Sequence, residues 1–170
     1  MAVHVLIHTS GVTLGSQYFP LELAYGDVTG YQLTVQIKSP IPYKTRLEAF
    51  PHAHPDAIMS AYKGFSEEQW IRFLQNRYTS LQTELATPDI GFGCKGAHQM
   101  AVLQRAQIPR IVDVETVGCP SLDTLKERFG SQRPRCPWHV APTDKCARFA
   151  VHLMTTHFTQ QQPVLPLGQP

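Results

Sequence analysis

The chain has 170 residues, enough for one domain that buries a single core without disulfide staples. Its 15 basic and 13 acidic residues leave a formal charge of +2, too small to mark a dedicated nucleic-acid binder by electrostatics alone. No apolar run reaches about 18 residues and no basic-then-apolar leader opens the chain, so no membrane partner is expected and the protein reads as intracellular, in the cytoplasm, the nucleus or both.

Met1 to Ile7, M-A-V-H-V-L-I, is an apolar, β-branched run that predicts a buried strand, and T-S-G-V-T-L-G-S-Q behind it supplies turn residues. Tyr18–Tyr25 and Gly30–Ile37 read as two further strands around a Gly/Asp/Thr turn, completing an antiparallel meander. Prolines in Ser39–Tyr43 close the sheet edge, and F-P-H-A-H-P-D reads as loop. A helix starts at the N-cap Ser66, with Gln69 at its third position and Trp70, Phe73, Leu74, Arg77, Tyr78 and Leu81 at helical spacing. Asp89–Gly93 then predicts a short strand, Gly96–Ala106 a helix, Arg110–Val114 a buried strand, and Ser121 the cap of another helix. Lys145–Phe158 forms the last helix. Three strands, then helix, strand, helix, strand and helices is the order of an RNase H-like α/β domain with a mixed five-stranded sheet flanked by helices. Residues 1–158 are expected to form that single domain, and the Pro/Gln-rich residues 159–170 a disordered tail.

Cys136, His139 and Cys146 stand at C-x2-H-x6-C spacing, a set of two thiolates and an imidazole that holds zinc if a fourth ligand arrives from elsewhere. In a reducing compartment such a cluster favours a metal over a disulfide. Cys94 and Cys119 have no partner at ligand spacing and read as core thiols. Glu22 lies among apolar residues of a strand, where an unpaired carboxylate costs several kcal/mol; it needs a metal, a lysine or an arginine. Asp113 and Glu115 in V-D-V-E-T sit at alternate strand positions and offer a second metal pair, or a buried hydrogen-bonded aspartate beside a solvated glutamate. Lys95 and the Arg128, Arg133, Arg135 group are candidates for phosphate contacts, or a solvated face. Trp138, between two candidate ligands, either stacks on a base or packs on the site.

His139 and Asp144 also stand at H-x4-D spacing before a helix, and with the segment order this resembles a DEDDh-type 3′–5′ exonuclease. That superfamily carries Asp-x-Glu on its first strand and an Asp opening the helix after its fourth, and its carboxylates hold two metal ions. Here V-L-I-H-T-S-G puts His8 and Ser10 where the first pair belongs, and Gln99 stands where the second aspartate is expected. The departure is similar to the Maelstrom domain of the piRNA pathway, an exonuclease fold with a Glu-Cys-His-Cys zinc site in place of the acidic centre. The matching residues are Glu22 in F-P-L-E-L-A, with Cys136, His139 and Cys146, and V-D-V-E-x-x-G-C-P-S-L-D-x-L lies between them. The resemblance spans residues 1–158. It implies a structural Zn2+ and single-stranded RNA as partner, at most weakly cleaved, in RNA-mediated transposon silencing with protein partners of a small-RNA pathway. Two alternatives stay open: an active metal-dependent exonuclease using Asp113, Glu115 and Asp144 with His139 as base, and a non-catalytic protein-interaction scaffold.

Overall fold

A computed structural model describes residues 2–38, 41–42, 44–45, 48, 64–139, 143 and 145–161. Three antiparallel strands come first: β1 (Val5–Leu14), β2 (Gln17–Asp27) and β3 (Gln32–Gln36). After helix α1 (Glu67–Glu84), the short strands β4 (Phe92–Cys94) and β5 (Ile111–Asp113) add in parallel on the far side of β1, giving the order β3-β2-β1-β4-β5. Helix α2 (Ala97–Arg105) connects β4 to β5. A 3-10 turn (Val114–Val117) leads into α3 (Leu122–Phe129), and α4 (Ala147–Gln161) follows. This is the α/β class with the five-stranded mixed sheet that the segment order implies.

The central position of β1 explains its run of apolar residues. Val5 and Ile7 join Leu23, Tyr25 and Val35 beneath Trp70, Leu74 and Leu81 of α1 and Val102 and Leu103 of α2. Leu6 and Ala24, one residue out of phase, face Ala147, Phe149, Val151 and Met154 of α4 and Leu125 of α3. A strand buried on both faces has no solvent side to alternate with. The α1 boundary follows local chemistry: the Ser66 hydroxyl accepts the Gln69 N–H at 3.2 Å and the Gln69 side chain accepts the Ser66 N–H at 2.8 Å, a complete capping box. No helix among the described residues is long and apolar enough to cross a membrane.

Several boundaries differ from expectation. The turn expected over Thr9–Gln17 is mostly strand, because β1 pairs with β2 through Leu14↔Gln17 and only Gly15 and Ser16 turn. Gly11 is there for close approach: at the bulge after Ser10, a Cβ would run into the Phe19 carbonyl. β4 begins at Phe92 rather than Asp89, where parallel pairing with Val5 starts. β5 ends at Asp113, whose carboxylate caps the 3-10 turn by accepting the Glu115 N–H at 3.1 Å. The last helix begins at Ala147 and runs to Gln161, three residues past the expected end. Residues 162–170, Ser39, Pro40, Tyr43 and the F-P-H-A-H-P-D loop lie outside the described residues.

Candidate metal centre

Alternation along β2 turns Glu22 to the α4 face, and its register sets it opposite Ser10 on β1 and Gln36 on β3. The residue is 2% exposed. Two neutral donors hold the carboxylate in place: Oε1 accepts the backbone N–H of Ala147 at 2.9 Å, and Oε2 accepts Gln36 Nε2 at 3.2 Å. Since Ala147 is the first residue of α4, the Glu22 carboxylate also serves as a helix cap supplied from another strand, with its charge at the positive end of the helix dipole.

The other donors come from the segment between α3 and α4. Cys146 immediately precedes α4, and Cys136 and His139 lie on a loop fixed to the body of the domain by contacts of its own. Arg148 donates to the Arg135 carbonyl at 2.6 Å, the Arg133 guanidinium lies 3.9 Å from the centre of the Phe149 ring, and the Trp138 indole N–H donates to the Thr34 carbonyl at 3.0 Å. Trp138 therefore packs on the site and ties it to β3. The donor atoms of Glu22, Cys136, His139 and Cys146 all lie within 4.8 Å of one another, and His139 Nε2 is 3.1 Å from Glu22 Oε2. A tetrahedral ion with metal–N and metal–O bonds of about 2.0 Å and metal–S bonds of about 2.3 Å needs donor separations of roughly 3.3 to 3.8 Å. The set fits a four-coordinate metal ion.

The four groups also act on one another's protons. Burial lowers the basicity of His139, but hydrogen bonds to Cys146 and Glu22 outweigh it and hold the imidazolium up to about 9. A hydrogen bond from Cys136, helped by His139 and opposed by burial, pulls the Cys146 thiol down to about 5. The same bond, together with burial, raises Cys136. The pair thus favours holding its proton on Cys136 over Cys146, and a cation entering the cluster displaces the protons on its ligands.

The other candidates are dispersed. Asp113 caps its 3-10 turn, and the exposed Glu115 pairs with Lys95 at 3.1 Å. Neither joins the cluster, which is the one close group of at least three His, Cys, Asp or Glu donors among the described residues. Asp144 lies outside those residues. Lys95 is engaged by Glu115 and by the Cys119 carbonyl at 3.3 Å, and its side chain is 8% exposed, so it does not present a free cation. Arg128 and Arg135 are exposed. Cys94 and Cys119 are core thiols, Cys94 pushed up to about 12 by burial and by the Asp113 charge.

His8 and Ser10, at the positions of the first exonuclease motif, are not acidic, and burial pulls the His8 imidazole down to about 4. Gln99 does different work from an aspartate. Its amide grips Thr9, accepting the backbone N–H and the hydroxyl at 2.7 Å each and donating to the carbonyl at 2.9 Å. It thereby continues the ladder on the side of β1 where pairing with β4 stops at Leu6. Sequence reasoning does not reach Gln36 as a partner of Glu22; the signal for it is a glutamine in a short strand otherwise ending in buried residues. No protein-family model, curated protein or solved structure matches the chain.

Proposed function

We propose that the chain is a Maelstrom-type RNase H-like domain in which Zn2+, held by Glu22, Cys136, His139 and Cys146, pins α4 to β2, and that the domain binds single-stranded RNA in a small-RNA silencing pathway. The observation that carries the metal is the buried Glu22 carboxylate meeting two sulfurs and an imidazole within 4.8 Å. Two sulfurs, one nitrogen and one oxygen in a four-donor set suit zinc and not magnesium, which prefers six oxygens. With all four positions filled by protein, bound zinc supplies cross-linking rather than an activated water. Glu22 is oriented by Gln36 and Ala147, and the loop is preset by Trp138 and Arg148, so the ion meets a site largely prepared for it.

The RNA part of the reading is supported by the family resemblance and by Arg128 and Arg135, exposed on the segment leading into the site. A two-metal nuclease needs clustered carboxylates, and Asp113 and Glu115 are engaged elsewhere. The test is fluorescence anisotropy with a labelled single-stranded RNA over a salt series, on the wild type and on Arg128→Ala/Arg135→Ala. Expected is binding that weakens with salt and a shallower salt dependence in the double variant, by about 0.7 in slope for each phosphate no longer neutralised. Absence of salt-dependent binding would leave a protein-interaction scaffold.

A further inference from the structure

The metal centre places two sulfurs side by side. Cys136 and Cys146 each offer a sulfur to the cluster, and those two atoms lie within 4.8 Å of one another. The other two thiols are packed elsewhere: Cys94 in the apolar core under α1 and α2, and Cys119 against the Pro120 carbonyl at 3.6 Å. Cys136 is half-buried and Cys146 buried, so a small oxidant meets Cys136 first. We propose that the pair is a peroxide-responsive latch, in which oxidation exchanges the bound ion for a Cys136–Cys146 disulfide while α4 stays fastened to the sheet. For the ion this rests on the zinc reading above; for the cross-link it rests on the sulfur geometry alone.

The oxidant is hydrogen peroxide or an organic hydroperoxide. The Cys136 sulfur, deprotonated as a ligand of the bound ion, attacks one peroxide oxygen, the O–O bond breaks, and the departing oxygen takes a proton from solvent and leaves as water or alcohol, with a sulfenic acid on Cys136. The Cys146 sulfur then attacks that sulfenic sulfur. The S–S bond forms as the S–O bond breaks, and the hydroxyl leaves with a proton as water. Each sulfur has given up one electron and the peroxide has taken both. A disulfide sulfur no longer carries the thiolate charge that made it a ligand. The ion is left with Glu22 and His139 and departs.

The fold is built to survive that exchange. Three ties between the site and its surroundings use no sulfur: Glu22 to the Ala147 N–H at 2.9 Å, Arg148 to the Arg135 carbonyl at 2.6 Å, and Trp138 to the Thr34 carbonyl at 3.0 Å. The disulfide closes the chain between residues 136 and 146 and so restricts the same loop that the ion held.

The experiment is stepwise addition of hydrogen peroxide to the full chain after its zinc content has been measured. Ion release is followed with a metallochromic chelator, and the cross-link by tryptic mass mapping without reductant. Trypsin cuts after Arg135, Lys145 and Arg148, so the disulfide joins peptide 136–145 to peptide 146–148. Expected are one ion released per cross-link and an oxidised form that melts above the reduced, chelator-stripped form. Ion release with sulfinic acids in place of the cross-link, or a cross-linked form that melts no higher than the stripped one, would overturn the proposal. A Cys94→Ala/Cys119→Ala variant should give the same cross-link, and the wild-type map decides if that variant does not fold. Lack of zinc before oxidation is failure of the metal reading; zinc present and no cross-link is failure of the latch.

Discussion

On one face of the sheet Ile7, Leu23, Tyr25 and Val35 meet Trp70, Leu74 and Leu81 in an apolar cluster. On the other, β2 offers Glu22 to the start of α4, where its carboxylate takes the Ala147 N–H and gathers with two sulfurs and an imidazole. The first face is held by many contacts that each contribute a little, so losing one side chain weakens it in proportion to the volume removed. The second concentrates its hold in a few polar atoms whose partners are buried, and removing one strands the others. Both faces belong to one five-stranded sheet, but they should fail differently.

The largest expected effect separates them. Glu22→Ala leaves the Ala147 N–H and Gln36 without their carboxylate and the donor set without its oxygen, and should cost about 3 to 5 kcal/mol together with the bound metal. Leu74→Ala, fully buried in the opposite cluster, should cost about 3 kcal/mol with metal content unchanged. Chemical denaturation paired with metal analysis checks both; equal metal content in the two variants would erase the distinction.

Next in size is the buried ion pair at the end of β2, where Arg77 lies 2.7 Å from Asp27 and stacks over Tyr31 at 4.4 Å. Burial works to raise the Asp27 carboxyl, but hydrogen bonds from Thr29, Tyr25 and Arg77 outweigh it and hold it below its ordinary 3.8. A folded-state value below the unfolded one contributes stability that is full above 3.8 and is lost as pH falls through the folded value. Asp27→Asn should therefore be less stable than wild type by about 3 kcal/mol at neutral pH, with the difference closing below the ordinary carboxylate range. Denaturant midpoints from pH 7 downward would show it, and a gap independent of pH would refute the assignment to charge.

The smallest of these effects lies on the first face, between β1 and α2. Gln99→Ala removes the grip on Thr9 and should cost about 2 kcal/mol, with faster amide exchange at Thr9 than at Ile7. Retention of metal in that variant would sharpen the contrast, since Gln99 acts on the sheet and not on the cluster.

What the sequence disclosed follows the range of the forces involved. The Ser66–Gln69 capping box is local and its helix start is correct. The turn expected over Thr9–Gln17 failed because Gly11 answers to the Phe19 backbone across the hairpin, an approach that no local rule supplies. Cys136, His139 and Cys146 were visible as a set because their spacing is short, and Glu22 because a carboxylate in an apolar strand demands a partner. That Glu22 also caps α4 through the Ala147 N–H was not legible across 125 positions. Nor was the role of Gln99, which reads as a missing aspartate until its 90-residue reach to Thr9 is seen.

The central claim is that these four side chains hold one structural zinc. Elemental analysis of protein purified without chelator, comparing wild type with Glu22→Ala and His139→Ala, tests it most directly. The account predicts one zinc per chain in the wild type, lost with a fall in melting temperature in both variants. No zinc in the wild type, or zinc retained without Glu22, would contradict it.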